Sequence, residues 1–187
     1  MDNGASSYRR FLAGDRERLA EIVREYSDGL ILYINSFVKN ICVSEELMED
    51  VFVEIAMNKH KYSGKSLFKT WLYAIARYTA IDCIKRHSHI SDIPVDDMYE
   101  LSDEADIEKD YIKDEQRIQL HRAISNLIPD YSQVLHLVYF EGFSYAEAAG
   151  IMRKSERQIK NLAYRAKQSL KTELEKGGFE YEGYVNV

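Results

Sequence analysis

Cysteine, proline and long apolar runs are all scarce in this chain of 187 residues. Its two cysteines, Cys42 and Cys83, have neither the spacing of a zinc site nor the density of a disulfide framework. The longest uncharged stretch near the front, residues 29–38, is far shorter than the roughly 20 residues that a membrane helix needs. The sequence therefore predicts neither a disulfide framework nor insertion into a membrane.

Signals for secretion, metal binding and catalysis are also missing from the sequence. No basic segment followed by a small-residue cleavage site begins the chain, so we expect a cytoplasmic protein. His87 and His89 have no third ligand nearby and are interpreted as surface residues, which leaves no predicted metal site. Without a glycine-rich phosphate loop or a recognisable nucleophile and base, we expect no catalytic residues, no cofactor and no enzyme activity.

What the front of the chain does contain is apolar residues at helical intervals, with few glycines or prolines between them. The first stripe comprises Leu30, Tyr33, Ile34, Phe37, Val38 and Ile41. The second follows Ser44, a candidate N-cap, and comprises Leu47, Met48, Val51, Phe52 and Ile55. A third stripe begins at Phe68 and continues along a helix predicted over residues 70–86. These patterns predict an all-α fold with an N-terminal helical bundle.

Charge divides the chain into three parts. The net charge is +1 for residues 1–90, -8 for residues 91–120 and +1 for residues 121–187. An acidic segment with a proline and interrupted apolar spacing is typical of a linker. We therefore predict two small helical domains, residues 1–90 and 115–176, joined by an acidic linker at 91–114 and followed by a tail at 177–187. A solvated loop inside one domain is the alternative.

The rear domain carries the pattern of a helix-turn-helix. Pro129 suits the first turn of a helix and Gly142 its C-terminal cap. Two capping-box sequences, SYAE from Ser144 and SERQ from Ser155, follow eleven residues apart and leave room for a short helix and a tight turn. The turn contains Arg153 and Lys154, one of which occupies the position where a glycine would adopt a positive φ at the lowest energetic cost.

The last predicted helix has an apolar side and a basic side. Six lysines and arginines lie within residues 153–167 of this otherwise acidic chain. The apolar side comprises Ile159, Leu162, Ala163, Ala166 and Leu170, and the opposite side comprises Arg157, Asn161, Tyr164 and Gln168, flanked by Lys160, Gln158 and Arg165. Such a surface offers hydrogen bonds to base edges and cations to phosphates, so it predicts DNA binding. The alternative to DNA binding is a charged helix face that contacts only solvent.

These motifs resemble those of bacterial RNA polymerase sigma factors. The segment SYAEAAGIMRKSERQIKNLAYRAKQSL is similar to the second DNA-binding region of the sigma-70 family, including the basic ending RAK. EELMEDVF at residues 45–52 resembles the polymerase-docking helix of that family, and WLYAIARYTAIDCIKR at residues 71–86 resembles its promoter-opening helix. We expect none of the additional domains of housekeeping sigma factors from this sequence, so it looks like the small extracytoplasmic-function (ECF) type.

The resemblance implies partners and site residues. It implies docking on the β' clamp and β flap of core RNA polymerase, binding of promoter DNA, and an anti-sigma factor as a further candidate partner. The residues in the docking motif are Glu46, Leu47, Glu49, Asp50 and Phe52. Those matched to the minus-thirty-five element are Arg153, Lys154, Ser155, Arg157, Gln158, Lys160, Asn161, Tyr164 and Arg165.

A lysine-rich loop at residues 58–69 has the aromatic and basic composition that suits an unpaired DNA strand. In the family this loop receives a base of the minus-ten element. The matched residues in and after it are Lys59, Lys61, Tyr62, Lys65, Phe68, Lys69, Arg77, Tyr78, Lys85 and Arg86. Trp71 is interpreted as a core residue. Tyr78 and Glu49 depart from the family pattern, which has Asn and Gln there.

The predicted function is to bind core polymerase, direct it to promoters through two separated elements and help to open the duplex. Two alternatives stay open. One is a helix-turn-helix repressor or activator whose front domain senses a ligand. The other is a polymerase-binding factor that does not read promoters, which the tyrosine at position 78 keeps open.

Overall fold

The computed structural model describes residues 3–57, 61–90 and 115–176, and within them every regular element is helical. The N-terminal unit consists of α1 (Asn3–Leu12), α2 (Glu17–Val38), α3 (Ile41–Ala56) and α4 (Phe68–Ile90). The C-terminal unit consists of α5 (Glu115–Ser125), α6 (Pro129–Leu135), a π-helix (His136–Phe140), α7 (Tyr145–Met152) and α8 (Glu156–Lys176). The predicted all-α fold is confirmed.

The N-terminal unit packs α1, α3 and α4 around the long helix α2. The predicted apolar stripes line its core, but several helix boundaries differ from the prediction. Helix α4, predicted over residues 70–86, spans Phe68–Ile90, and the junction between α2 and α3 also differs. Lys39 adopts a left-handed conformation with φ of 60° and ends α2, so Ile41 starts the next helix instead of continuing the first stripe. Asn40, not Ser44, is the N-cap of α3, and its side chain accepts a hydrogen bond from the Val43 backbone N–H. Ser44 is buried inside the helix.

The C-terminal unit contains the predicted helix-turn-helix in α7 and α8. Pro129 lies in the first turn of α6, and Gly142 has a φ of +71° after the π-helix. Both capping boxes form: the Glu147 carboxylate accepts from the backbone N–H of Ser144, and the Gln158 side chain accepts from that of Ser155. The predicted start of each helix is therefore confirmed.

The two units pack directly against each other. Helix α2 contacts α6, and α4 contacts α7. Buried apolar residues of both units form one continuous cluster, in which the rings of Tyr73 and Phe143 lie 5.1 Å apart, centroid to centroid. The predicted acidic linker falls outside the described residues, as does the predicted tail.

Candidate polymerase-binding and DNA-binding surfaces

The outer face of α3 presents a row of carboxylates. Glu46, Glu49 and Asp50 are exposed, and their spacing places them on one face of the helix. Leu47 and Phe52, also assigned to docking, are 5% and 6% exposed and belong to the core. Because their side chains point into the bundle, they position the helix and cannot contact a partner directly.

Two exposed apolar residues on α3 were missed in the sequence analysis. Val53 is 52% exposed and Met57, which caps the C-terminal end of the helix, is 65% exposed. Val53 follows Glu46, Glu49 and Asp50 at the helical interval of their face. That spacing was available in the sequence and could have added Val53 to the docking surface.

Aromatic side chains pack at the base of the lysine-rich loop. Phe68 is fully buried, with its ring centroid 5.4 Å from those of Tyr8 and Trp71. Phe68 therefore cannot stack on a DNA base in this arrangement, contrary to its assignment. Tyr62 is half-buried against Trp71, and its hydroxyl donates to the Ser66 backbone oxygen at 2.7 Å. The core interpretation of Trp71 agrees with these contacts.

The loop itself carries exposed cations. Lys61 and Lys65 are exposed, and Gly64 between them adopts a φ of +72° that turns the backbone. Lys59 falls outside the described residues. The loop therefore places the exposed cations of Lys61 and Lys65 next to the packed aromatic side chains at its foot. This arrangement is suited to holding a DNA strand.

The remaining residues assigned to the minus-ten element lie along α4 in two different surroundings. Tyr78 is 55% exposed, and Lys85 and Arg86 are exposed farther along the helix, with Arg86 3.0 Å from Asp82. Lys69 and Arg77 are half-buried and face the C-terminal unit. The structure thus separates the assigned set into an exposed group and a pair held by the rest of the chain.

Helix α8 presents the amphipathic surface that the sequence predicts. Ile159, Ala163 and Ala166 are buried against the rest of the C-terminal unit. All but one of the residues assigned to the minus-thirty-five element are exposed, and the exception, Lys154, is half-buried; the exposed set is Arg153, Ser155, Arg157, Gln158, Lys160, Asn161, Tyr164 and Arg165. A polar face of this composition fits the major groove, where amide and guanidinium groups reach base edges.

Local contacts hold the turn before α8. Arg153 adopts a left-handed conformation with φ of 53° and ψ of 46°, as predicted for one of the two basic residues of the turn. Lys154 lies 3.0 Å from the Asp130 carboxylate, and Lys160 lies 2.7 Å from that of Glu156. The pKa of Lys160 is raised, first by its hydrogen bond with Glu156, so the side chain stays charged.

No cluster that could hold a metal ion occurs within residues 3–57, 61–90 and 115–176. Across those same ranges, no helix combines the length and apolar character that spanning a membrane requires. The exposed chemistry of the described residues is acidic on α3 and basic on the loop, α4 and α8.

These features define a two-unit helical protein with a helix-turn-helix and a separate helix that has an acidic exposed face. A family model described as Sigma-70 region 2 matches residues 22–90, and one described as Sigma-70, region 4 matches residues 117–170. The chain belongs to the sigma-70 family of RNA polymerase sigma factors, and it is of the ECF type. The predicted family and function are confirmed.

Similar proteins include RNA polymerase sigma factors of several bacteria, some of which are named as ECF sigma factors. The ECF RNA polymerase sigma factor SigM of Bacillus subtilis is 28% identical over 160 residues, covering 84% of this chain and 95% of SigM. The RNA polymerase sigma-H factor of Pseudomonas aeruginosa is 26% identical over 175 residues, covering 89% of this chain and 91% of that protein. The solved structure of CnrH with the cytosolic domain of CnrY shares the fold, with a TM-score of 0.65, 16% identity, and coverage of 92% of this chain and 95% of CnrH.

Proposed function

We propose that this sigma factor performs its function through three surfaces, each made of residues identified above. The acidic face of α3 docks on core polymerase, the loop and α4 contact the minus-ten element, and α8 contacts the minus-thirty-five element. The observation that carries the proposal is the exposed face of α8, on which Arg157 and Asn161 lie one helical turn apart beside the basic flanks.

The exposed face of α8 contains one group of residues that contacts bases and another that contacts phosphates. Arg157 and Asn161 lie opposite the buried residues of the helix, where a groove-bound helix faces base edges. Lys160 and Arg165 lie to the sides and neutralise phosphates, which positions the helix without carrying sequence information. Tyr164, 67% exposed, adds apolar contact area on the same face.

The α3 face binds polymerase through charge and apolar contact together. Glu46, Glu49 and Asp50 supply carboxylates for the basic partner surface that we expect on the β' clamp, and Val53 supplies an apolar contact among them. The buried Leu47 and Phe52 fix the helix so that this face is presented.

The loop and α4 contact the opened strand at the minus-ten element. Lys61 and Lys65 hold the phosphate backbone, while Tyr62 supplies an aromatic edge at the base of the loop. Tyr78 faces solvent on α4 and replaces the amide that the family has there. We assign to it a contact that alters which minus-ten sequences are accepted.

The domains that we propose are residues 1–90, resembling sigma region 2, and residues 115–176, resembling sigma region 4. The acidic segment 91–114, which lies outside the described residues, connects them in the sequence. The β flap is the partner that we assign to the C-terminal domain. An anti-sigma factor is a further candidate partner, supported by the likeness in fold to CnrH, whose structure was solved with the cytosolic domain of CnrY.

Run-off transcription with purified core polymerase tests the function. The expected result is a transcript that depends on this protein and on both promoter elements of the template. Matched templates with a scrambled minus-ten or minus-thirty-five element serve as controls. Transcription that ignores both scrambled elements would favour a polymerase-binding factor that does not read promoters, and failure to copurify with core polymerase would favour a separate DNA-binding regulator.

A further inference from the structure

The exposed faces of α3 and α8 have the same helical spacing. Each contains exposed residues at positions i, i+3, i+4, i+7 and i+11, which lie on one side of a helix over a length of about 16 Å. On α3 these residues are Glu46, Glu49, Asp50, Val53 and Met57, and on α8 they are Arg157, Lys160, Asn161, Tyr164 and Gln168. The two faces can therefore be compared position by position.

Opposite charges coincide when the two faces are aligned in parallel. In that register Glu46 lies opposite Arg157, and Asp50 on one flank lies opposite Lys160 on the facing flank. An antiparallel alignment instead places the apolar Met57 opposite Arg157. Charge complementarity therefore selects the parallel register.

The same register brings exposed apolar side chains together. Val53 lies opposite Tyr164, and Met57 follows Val53 along its face. All three are large apolar residues that are more than half exposed, at 52%, 67% and 65% for Val53, Tyr164 and Met57. Covering them removes apolar surface from water, which favours association. A contact between the two faces therefore combines a charged half with an apolar half.

The charges on both faces are available for a new partner. Within residues 3–57, 61–90 and 115–176, neither the three carboxylates of the α3 face nor the guanidinium group of Arg157 forms an ion pair. Lys160 lies 2.7 Å from Glu156, but both side chains are about half exposed, and an exposed pair of this kind contributes little to stability. Lys160 can therefore exchange this carboxylate for one on another molecule.

The complementary face has to come from another molecule. Both faces are exposed in the same chain, so neither covers the other. A second copy of the chain offers the basic face to α3 and the acidic face to α8, which makes the contact head-to-tail. The net charge of -6 repels the copies at long range, but at about 0.1 M salt the Debye length is about 10 Å and this repulsion is largely screened. Charge pairs in direct contact are closer than that length and keep their attraction.

We propose that the α3 face of one copy docks on the α8 face of a second copy, in the parallel register that places Glu46 opposite Arg157. The free protein then associates reversibly with itself. The contact uses the faces proposed to bind polymerase and the minus-thirty-five element, so self-association competes with both partners by mass action. Only this consequence rests on the proposed function, because the contact itself forms without polymerase or DNA.

The experiment is sedimentation velocity on the full-length protein, at about 0.1 M salt and from about 1 to about 100 μM protein. We expect the wild type to sediment faster as its concentration rises. Glu46→Arg and Arg157→Glu each place like charges opposite one another, so each alone should weaken self-association at least about tenfold. An equimolar mixture of the two variants should associate as strongly as the wild type, because the arginine introduced at position 46 then faces the glutamate introduced at position 157.

Glu25→Arg and Arg24→Glu are the matched controls, because they make the same charge changes at exposed neighbouring positions on α2. They should associate like the wild type, and circular dichroism checks that every variant keeps its helices. A wild type that stays monomeric at the highest concentration overturns the proposal. So does self-association of either α3 or α8 variant at wild-type strength, or a mixture of the two that stays monomeric. Run-off transcription by a monomeric wild type would show that the proposed function stands without this contact.

Discussion

The hydroxyl of Tyr8 donates a hydrogen bond to the backbone oxygen of Ile55 at 3.0 Å and thereby joins α1 to the C-terminal end of α3. The ring of the same tyrosine lies 5.4 Å from that of Phe68 and 5.3 Å from that of Trp71, beside the lysine-rich loop. Helix α1 therefore supports the surface assigned to the minus-ten element, although nothing in its own sequence marks it for DNA binding.

Tyr8→Phe should lower the free energy of unfolding by about 1 to 2 kcal/mol, because it leaves the buried Ile55 carbonyl without its donor. Tyr8→Ala should cost about 3 to 5 kcal/mol, since it also leaves a cavity among the surrounding rings. Urea unfolding measures both values. A cost below about half of a kcal/mol for the alanine variant would contradict the packing described for α1.

Alanine substitutions on α8 should separate base contacts from phosphate contacts. Loss of Arg157 or Asn161 should weaken binding to the matched minus-thirty-five site by about 1 to 3 kcal/mol and relax specificity. Loss of Lys160 or Arg165 should weaken binding to matched and scrambled sites alike and reduce the salt dependence. DNA-binding titrations of each variant with the matched and the scrambled site, at several salt concentrations, check this prediction. Equal losses of affinity on both sites for all four variants would refute the assignment.

Asp50→Arg should abolish capture by core polymerase and leave the fold unchanged. The position is exposed on α3, away from the buried stripe, so the new side chain meets solvent in the free protein and a basic surface in the complex. Pull-down with core polymerase and circular dichroism measure the two effects. Leu47→Ala is the contrasting variant. Because Leu47 is buried, its truncation should leave a cavity and lower the free energy of unfolding by about 2 to 5 kcal/mol.

Arg153→Gly should stabilise the protein by about 1 kcal/mol. Arg153 adopts a φ of 53°, a left-handed conformation that glycine occupies without the penalty of a Cβ atom. Thermal unfolding measures the gain, and Lys154→Gly is the matched control because the adjacent residue does not have a positive φ. A lower melting temperature for Arg153→Gly would show that the arginine side chain stabilises the protein by more than its backbone conformation costs.

Stability should depend on pH through Glu141. Its folded pKa of about 2 is below the ordinary value of 4.5, so its ionisation favours the folded state above pH 4.5. That contribution, about 3 kcal/mol at neutral pH, is lost as the pH falls from about 4.5 to about 2. The difference in unfolding free energy between wild type and Glu141→Gln should shrink over this range. A difference independent of pH would contradict the depressed pKa.

Local patterns in the sequence were sufficient for the helix-turn-helix. Each capping box joins residues three apart, as in Ser144 and Glu147, so the hydrogen-bonding groups are brought together by the first turn of the helix itself. The buried and exposed sides of α8 also follow from helical spacing alone. The prediction of Ser44 as the N-cap of α3 was wrong, because both Asn40 and Ser44 suit an N-cap. Only the backbone geometry selects Asn40.

Contacts between distant parts of the chain required the tertiary structure. Phe68 and Lys69 are neighbours with the composition of a DNA-binding loop, yet one is buried among rings and the other binds Glu141, 72 residues away. No period or motif in the sequence encodes such a pairing, because it depends on how α2 and α4 meet the π-helix. Sequence patterns determine which residues form each helix and which side is apolar, whereas packing between helices decides which polar side chains stay free to bind a partner.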